Sequence, residues 1–346
     1  MRENVKREII VSGYGPGATG SASISLYSMT DKLKLDRQLW SDRITAPSFL
    51  CTYQDMCFAI REEDNSGSVL LYQRAGDEYV LKDEYFLEGG ALCHIVYQPK
   101  NQTLYCSFYL TGHVGAIKVE NYHFAKLLSF LRMEPEKAGD LTRAHCCALE
   151  PEGNRVLTTN IALDRIYIFE AEDGSLLPNT RCENIQLEKG IGPRHLKFHP
   201  IQNYLYVITE YSSEILVFHY LHDDIVPKLT LLQKISALPG GFHESSTGST
   251  IDITEDGRFL YAANRGADTI AVFDIHVDGT LEKMQDISCQ GRNPRHIALT
   301  KDDAALMIAN QDSNEIVILG VDEQDGKLTD VITRIPFISP SYAEEL

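Results

Sequence analysis

The sequence predicts an all-β protein, a seven-bladed β-propeller closed by pairing of its N- and C-terminal strands. Three observations support this fold class. A unit of about 50 residues recurs along the 346-residue chain, as it does in propellers. Its apolar segments are short, rich in β-forming residues and separated by turn residues. The C-terminal segment resembles a segment that opens another copy of the unit. We therefore expect a single domain over residues 1–346.

The repeat unit has an apolar strand, a tight turn, a second apolar strand, a short polar loop and a third strand. Pro-x-x-Asn and Glu-Asp-Gly sequences supply the turn geometry. Strands joined locally in this way form antiparallel four-stranded blades. The clearest copies are 194–220, 249–275 and 295–321, and weaker copies are 48–74, 93–119 and 145–171.

The two chain ends complete the count of seven. Residues 8–28 have the pattern of the two middle strands of a blade that lacks the strand before them. The C-terminal FISPSYAEEL (337–346) resembles TAPSFLCTY (45–53), which opens a blade. We expect the C-terminal strand to be the innermost strand of the first blade. An open β-solenoid is the alternative, but the matching ends favour a closed ring. The Trp-Asp pairs and paired glycines of the common propeller repeats are missing.

Net charge, the N-terminal sequence and the cysteine pattern argue against some binding partners and some cellular compartments. A formal net charge of −17 argues against nucleic acid and anionic membranes as partners. The N-terminal MRENVKREII predicts no signal peptide, and no segment reaches the length of a membrane span. No C-x-x-C pair occurs, so we expect reduced core cysteines of a cytoplasmic protein. They are Cys51, Cys57, Cys93, Cys106, Cys146, Cys147, Cys182 and Cys289.

Aligned repeats place polar residues at two equivalent positions. The first opens an apolar strand, and side-chain alternation allows it to face the channel. The second follows the end of the next strand. The first position holds Ser48, Cys93, His145, Arg194, Ser249, Arg295 and Ser341. The second holds Tyr14, Tyr109, Ile161, Glu210, Arg265 and Gln311, with Glu63 if one residue is deleted from that turn.

The variety of residues at these positions indicates an asymmetric site. A structural position in a repeat tends to keep one residue type, whereas these positions hold different polar residues in different copies. The alternative is that residues at the start of a loop are simply solvated and vary freely. The pattern predicts a polar, arginine-bearing pocket at one mouth of the central channel.

Four motifs carry a resemblance to a known family. They are GPRHLKFHP, YVITEYSSEILVF, TEDGRFLYAANRGADTIAVF and IANQDSNEIVIL. They resemble the seven-bladed lactonases, which include propeller-type 6-phosphogluconolactonases and 3-carboxy-cis,cis-muconate lactonising enzymes. The resemblance covers essentially the whole chain. It implies that His145, Arg194, Glu210 and Arg265 are active-site residues, and the repeat alignment selects the same four.

The resemblance implies a lactone hydrolase that converts 6-phosphogluconolactone to 6-phosphogluconate. A carboxymuconate cycloisomerase and a non-catalytic propeller that binds a partner on its rim are the alternatives. Two departures from the family pattern bear on the substrate. Arg143 replaces the first histidine of a frequent His-x-His sequence, and Asn160 replaces a frequent aspartate.

Lactone hydrolysis needs an activated water, stabilisation of the carbonyl oxygen and an anchor for the anionic group. Histidine, with an ordinary pKa near 6.5, suits proton transfer near neutrality, so His145 is the candidate base. Arg194 and Arg265 present planar, charged forks, and one of them would anchor the substrate while the other stabilises the oxyanion. Glu210 would orient His145 or an arginine, or act as the alternative base.

The remaining polar residues fall into two groups. His94, His195 and His296 are expected to pack between blades, because the alternation of a strand turns them away from the first repeat position. No G-x-S-x-G or H-E-x-x-H sequence occurs, and no metal or cofactor is implied. The further candidates for the pocket lining are Tyr14, Tyr109, Arg143, Asn160, Arg295 and Gln311.

Overall fold

The computed structural model describes residues 7–15, 23–137, 139–178, 184–223 and 227–346. They form 29 β-strands in seven antiparallel sheets, so the protein is the predicted seven-bladed β-propeller. One short 3₁₀ helix, Gln311–Ser313, lies among the described residues. The chain groups into two compact units. The terminal unit has residues 1–48, 75–79 and 237–346, and the middle unit has residues 49–74 and 80–236.

The terminal unit holds blades 1, 6 and 7. Blade 1 has the strand order β29-β1-β2-β3, with β1 Arg7–Gly13, β2 Ile24–Met29, β3 Leu35–Asp42 and β29 Pro340–Glu345. Blade 6 contains β21 Thr247–Ile253, β22 Phe259–Arg265, β23 Thr269–Ile275 and β24 Leu281–Ser288. Blade 7 contains β25 Pro294–Leu299, β26 Ala305–Asn310, β27 Glu315–Val321 and β28 Leu328–Pro336.

The two chain ends pair within blade 1, as predicted. Strand β29 runs antiparallel to β1, from Ile9 opposite Glu345 to Gly13 opposite Pro340. Residues 16–22 of the predicted segment 8–28 lie outside the described residues. Arg7 fixes this junction, since its Nε donates to the Glu345 carboxylate at 2.7 Å.

The middle unit holds blades 2 to 5. Blade 2 contains β4 Leu50–Tyr53, β5 Met56–Glu62, β6 Gly67–Ala75 and β7 Glu78–Leu87. Blade 3 contains β8 Leu92–Gln98, β9 Thr103–Phe108, β10 His113–Glu120 and β11 His123–Arg132. Blade 4 contains β12 Ala144–Leu149, β13 Arg155–Asn160, β14 Arg165–Glu170, β15 Leu177–Pro178 and β16 Ile185–Gln186. Blade 5 contains β17 Pro193–Phe198, β18 Tyr204–Thr209, β19 Glu214–Leu221 and β20 Lys228–Ser236.

Apolar side chains of neighbouring blades interlock to form the cores of each unit. In the middle unit, Phe58 and Leu71 of blade 2 pack with Leu104 and Phe108 of blade 3, and all four are fully buried. Burying a large apolar side chain stabilises a fold by about 1.5–3 kcal/mol. Because the middle strands are covered on both faces, they are apolar along their length, and the sequence pattern reflects this.

A β-bulge marks the first repeat position. The register between first and second strands slips by one residue at Cys93, Arg194 and Arg295. In blades 4 and 6 the slip covers His145 and Ser249, each with the residue that follows it. A bulge inserts an extra residue and redirects its side chain. The positions that the sequence alignment selected are therefore bulge positions.

Hydroxyl groups hold two of the bulges from the preceding blade. In the middle unit, Ser107 Oγ of blade 3 donates to the carbonyl oxygen of His145 in blade 4. Thr159 Oγ1 of blade 4 donates to the carbonyl oxygen of Arg194 in blade 5 at 2.7 Å. In the terminal unit the contact is different, because Ser249, at the bulge of blade 6, donates to the carbonyl oxygen of Pro294 in blade 7 at 2.6 Å. The backbone at His145 and at Arg194 is thus fixed by the preceding blade.

The described cysteines are free thiols, as expected. Cys51 is half-buried, and the others are buried. Cys182, which the sequence analysis also assigned to the core, lies outside the described residues. Burial raises the pKa of the Cys147 thiol to about 11, so this thiol is neutral near pH 7. Within the described residues, no helix has the length and apolar character needed to span a membrane.

Candidate active site

Arg194 and Glu210 form a buried ion pair at the loop end of blade 5. The Nε of Arg194 donates to Oε2 of Glu210 at 3.0 Å, and the two side chains are 4% and 13% exposed. Arg194 lies on the bulge of β17, and Glu210 directly follows β18. Of the roles predicted for Glu210, orientation of an arginine is the one that this geometry supports.

His145 lies beside this pair in the adjacent blade. Its side chain is buried, and its ring lies 5.0 Å from the ring of His195 and 6.2 Å from that of Tyr109. Thr159 connects the two bulges, because its hydroxyl accepts from Cys146 N and donates to the Arg194 carbonyl. His145 and Arg194 are therefore neighbours, as their equivalent repeat positions predict.

Arg143 and Tyr109 form a second polar contact at the same end of the middle unit. Nη1 of Arg143 donates to the Tyr109 hydroxyl at 3.0 Å, and the guanidinium lies 4.9 Å from the centre of the Tyr109 ring. Burial raises the pKa of Tyr109, and the charge of Glu210 adds to that rise while Arg143 and Arg194 oppose it. These charges therefore act on one another within a single cluster.

Tyr211 completes the cluster, and the sequence analysis missed it. Its hydroxyl accepts from Arg143 Nη1 at 3.3 Å. A Cβ on Gly192 would lie 2.7 Å from the Tyr211 ring, and Gly192 has a φ of +67°. Only glycine suits both the backbone conformation and the close approach of the ring. In the sequence, Gly192 of the GPRH motif could have indicated that an aromatic side chain packs against the backbone at this point.

Asn160 is not part of the pocket lining. It is fully buried, and its Oδ1 accepts from the backbone N–H of Arg143 and Leu163 at 3.0 and 3.1 Å. Asn264 and Asn310 occupy the same repeat position and are equally buried. A repeated, buried amide that binds loop backbone is structural. We therefore remove Asn160 from the predicted pocket.

His94 and His296 contact aromatic rings of a neighbouring blade, as predicted, whereas His195 contacts rings from blades other than its neighbours. The His94 ring lies 4.3 Å from Phe49 and 5.3 Å from His195, and His296 lies 4.4 Å from Tyr342. His195 also contacts His145, which strict alternation does not predict. The bulge at residue 194 breaks that alternation.

Two groups of side chains in the middle unit bring together atoms that could bind a metal. The first is His94, Cys146 and His195, whose candidate ligand atoms lie within 4.8 Å of one another. Cys147 N donates to His94 Nδ1 at 3.4 Å. A neutral ring that accepts there carries its proton on Nε2, so this tautomer offers no lone pair toward Cys146. The second group consists of Glu150, Glu152 and His222.

In blade 2, Glu62 ends strand β5, and the predicted residue Glu63 follows it. Glu63 is exposed, and its carboxylate accepts from Ser66 Oγ at 2.8 Å. Burial raises the pKa of the Cys93 thiol well above its ordinary value, and the charge of Glu62 adds to the rise. Glu62 therefore acts on the bulge residue of blade 3.

In the terminal unit, Arg295 and Tyr14 repeat the arginine–tyrosine contact. The guanidinium of Arg295 lies 4.8 Å from the centre of the Tyr14 ring, and its Nη2 donates to the Tyr14 hydroxyl. The two predicted pocket residues are thus in contact. Gln311 begins the 3₁₀ helix, and its Oε1 is buried without a hydrogen-bond partner among the described residues.

Arg265 lines a cavity of about 340 Å³ in the terminal unit. Its Nη2 donates to the carbonyl oxygen of Gly248 at 3.1 Å. Arg292 and Asn293 share this cavity. His145, Arg194 and Glu210 belong to the middle unit, so the convergence of all four predicted residues on one pocket stays a prediction.

Fold and site together define the class of protein: a β-propeller enzyme with a buried histidine beside an arginine–glutamate pair. The family model described as Lactonase, 7-bladed beta-propeller, matches residues 8–344. The chain therefore belongs to the seven-bladed β-propeller lactonase family.

Individual relatives agree with this membership. The chain is 28% identical over 329 residues to a 6-phosphogluconolactonase of Bacillus subtilis strain 168. The matched region covers 92% of this chain and 93% of the relative. It is similar in structure to a periplasmic gluconolactonase of Pseudomonas aeruginosa, with a TM-score of 0.89, 20% identity and 99% of each chain covered. A protein from Lactobacillus plantarum gives a TM-score of 0.88 at 23% identity, again with 99% of each chain covered. At these identities the two structures show the fold alone.

Proposed function

We propose that this protein hydrolyses an anionic sugar-acid lactone, with 6-phosphogluconolactone as substrate and 6-phosphogluconate as product. The observation that carries the proposal is the buried Arg194–Glu210 pair beside His145, in a chain of the lactonase family. The name of the Bacillus subtilis relative, a 6-phosphogluconolactonase, supports a phosphorylated gluconolactone as the substrate.

In the proposed reaction, His145 takes a proton from a water molecule as that water attacks the lactone carbonyl carbon. A bond forms between the water oxygen and this carbon, and the ring carbon–oxygen bond then breaks. The ring oxygen leaves as a hydroxyl after it receives that proton from His145, and the carboxylic acid that forms at the carbonyl carbon releases its remaining proton to solvent to give the carboxylate of the product. General base catalysis of this kind typically contributes about 10²–10⁴ in rate.

Arg194 and Arg265 have separate roles in the proposed reaction. Arg194, held by Glu210, would stabilise the negative charge that develops on the carbonyl oxygen. Arg265 would anchor the substrate through its planar fork at the lactone end, where the carboxylate of the product forms. Because Glu210 is engaged with Arg194, we assign the base to His145. Tyr14, Arg295 and Gln311 stay predicted pocket residues of the terminal unit.

A panel of small molecules tests the proposal. Purified protein is assayed with 6-phosphoglucono-δ-lactone, glucono-δ-lactone and 3-carboxy-cis,cis-muconate, and spontaneous lactone hydrolysis is subtracted. We expect turnover of the phosphorylated lactone well above that background. Consumption of the muconate without lactone hydrolysis would identify a cycloisomerase instead, and inactivity on all three would favour a binding scaffold.

We also propose that the reaction takes place in the cytoplasm. The support is the set of free thiols, six of the seven described ones being buried. Unpaired cysteines are typical of a reducing compartment. Cell fractionation followed by immunodetection tests this, and recovery in an extracytoplasmic fraction would contradict it.

A further inference from the structure

Arg143 differs from most arginines of this chain in its partners. Within the described parts of the chain, no carboxylate forms an ion pair with Arg143, although the net charge is −17. Its side chain contacts two tyrosines instead. The arginines that do pair with carboxylates are Arg7, Arg37, Arg61, Arg132, Arg155, Arg165, Arg194, Arg258 and Arg334.

The two tyrosines leave one edge of the guanidinium available. Nη1 of Arg143 donates to the hydroxyls of Tyr109 and Tyr211, at 3.0 and 3.3 Å. Neither Nη2 nor Nε of Arg143 has a hydrogen-bond partner among the described residues. This edge is the side that binds a phosphate or carboxylate through two parallel hydrogen bonds.

The side chain is also held in place before any ligand arrives. Its guanidinium stacks over the Tyr109 ring, and its backbone N–H donates to the buried Asn160 amide. Tyr211 is fixed by its packing on Gly192. A preorganised cation loses little conformational entropy when it binds an anion.

The position of this group suits the phosphate, which is the anionic group of the proposed substrate and is remote from the lactone carbonyl. The Tyr109 ring lies 6.2 Å from that of His145, so Arg143 is one side chain away from the proposed base. Arg194 is neutralised by Glu210, whereas Arg143 is not. A substrate with a remote charge therefore meets an uncompensated cation at Arg143.

We infer that Arg143, with Tyr109 and Tyr211, forms the subsite that binds the phosphate group of a phosphorylated sugar-acid lactone. Two phosphate oxygens accept from Nη2 and Nε of Arg143. The tyrosine hydroxyls, which accept from Nη1, donate their own protons to phosphate oxygens. This inference rests on the proposed function, because it names the substrate group that the same site selects.

Isothermal titration calorimetry with the stable products tests the inference. Dissociation constants are measured for 6-phosphogluconate and for gluconate, which lacks the phosphate. A charge-assisted hydrogen bond contributes about 1.5–3 kcal/mol, so Arg143→Gln should reduce the preference for 6-phosphogluconate by about tenfold or more. Arg143→Lys, which keeps the charge but loses the fork, should reduce it less.

Arg132→Gln is the matched control. Arg132 is a surface arginine of the middle unit, 44% exposed and paired with Glu134, and its substitution removes the same charge. We expect the wild-type preference in this variant. Tyr211→Phe keeps the ring on Gly192 and removes one donor, so it should lower the preference two- to fivefold.

The outcomes separate the inference from the proposed function. An unchanged preference in Arg143→Gln overturns the inference, as does a wild-type protein that binds the two products equally. If Arg143→Gln does not fold, an unchanged preference in both Arg143→Lys and Tyr211→Phe overturns it. Arg143-dependent binding by a protein that hydrolyses no lactone would support the subsite and refute the proposed reaction.

Discussion

Two clusters in blades 3 to 5 contain the same four residue types and differ in how these residues are connected. At the loop end, Arg194 pairs with Glu210, next to His145 and Tyr109. At the other end of β12, Arg155 pairs with Glu150, next to His222 and Tyr220. We call the first the loop-end cluster and the second the turn-end cluster.

In the turn-end cluster, all partners converge on one carboxylate. Oε1 of Glu150 accepts from Arg155 at 3.0 Å, from His222 at 2.7 Å and from the Tyr220 hydroxyl. The side chains of Glu150 and Arg155 are 0% and 2% exposed. Burial raises the pKa of Tyr220, and its hydrogen bond to Glu150 raises it further. Glu150 and Arg155 are enclosed in this cluster, whereas the His222 side chain is 26% exposed.

In the loop-end cluster, the glutamate, the histidine and the tyrosine each contact a different partner. Glu210 is 13% exposed, His145 contacts aromatic rings, and Tyr109 contacts a separate arginine. The comparison shows that an Arg, Glu, His and Tyr set does not identify an active site by composition. The distribution of its hydrogen bonds distinguishes a structural cluster from a candidate catalytic one.

The largest expected effect is on turnover in the loop-end cluster. His145→Ala should lower kcat by about 10²–10⁴, because it removes the proposed general base, with little change in substrate affinity. Glu210→Gln should lower kcat less if Glu210 only orients Arg194, and equally if it is the base. Steady-state kinetics on the most active lactone measure both. Wild-type turnover in His145→Ala would refute the mechanism.

A substitution in the turn-end cluster should lower the free energy of unfolding. Glu150→Gln leaves the buried Arg155 without its innermost partner, and breaking such a pair costs about 3 kcal/mol. Urea unfolding should show this loss in the free energy of unfolding. Turnover per folded molecule should stay at the wild-type level, because Glu150 and His145 lie five residues apart on an extended strand, about 16 Å. A large loss of turnover with unchanged stability would reverse the two assignments.

A smaller effect is expected at Arg265. Arg265→Lys keeps the charge and loses the planar fork, so affinity for 6-phosphogluconate should fall about tenfold. Raising the salt concentration should weaken binding in the wild-type protein. Equal dissociation constants for wild type and variant would indicate that Arg265 does not contact the anion.

The smallest effect is expected where an ion pair belongs to neither cluster. The side chains of Arg132 and Glu134 are 44% and 65% exposed, and such pairs contribute about 0.2–1 kcal/mol. Arg132→Gln should therefore change the free energy of unfolding by less than 1 kcal/mol. A loss as large as that of Glu150→Gln would mean that burial does not separate the two kinds of pair.

The fold was predictable because each blade repeats the same short pattern. The closure of blade 1 followed from the likeness between residues 337–346 and 45–53, and the pairing of β29 with β1 confirms it. Register irregularities are not visible in such a pattern. The bulge at Arg194 therefore went unrecognised, and with it the contact between His195 and His145.

The site was predictable only in part. Repeat alignment brought out His145, Arg194 and Glu210 because polar residues stand out where apolar strands begin or end. Asn160 entered the prediction through the family pattern, because a sequence does not show which amides bind their own backbone. Tyr211 went unnoticed, since its role depends on the space that Gly192 leaves.

The hydroxyl bonds between blades have a consequence for engineering. Ser107 holds the backbone of His145, and Thr159 holds that of Arg194, each from the preceding blade. If one blade were transplanted by itself into another propeller, the hydroxyl group that positions the backbone of its functional residue would be missing, because that group belongs to the preceding blade. The unit to graft is therefore a seam, consisting of the first strand of one blade with the second strand of the blade before it.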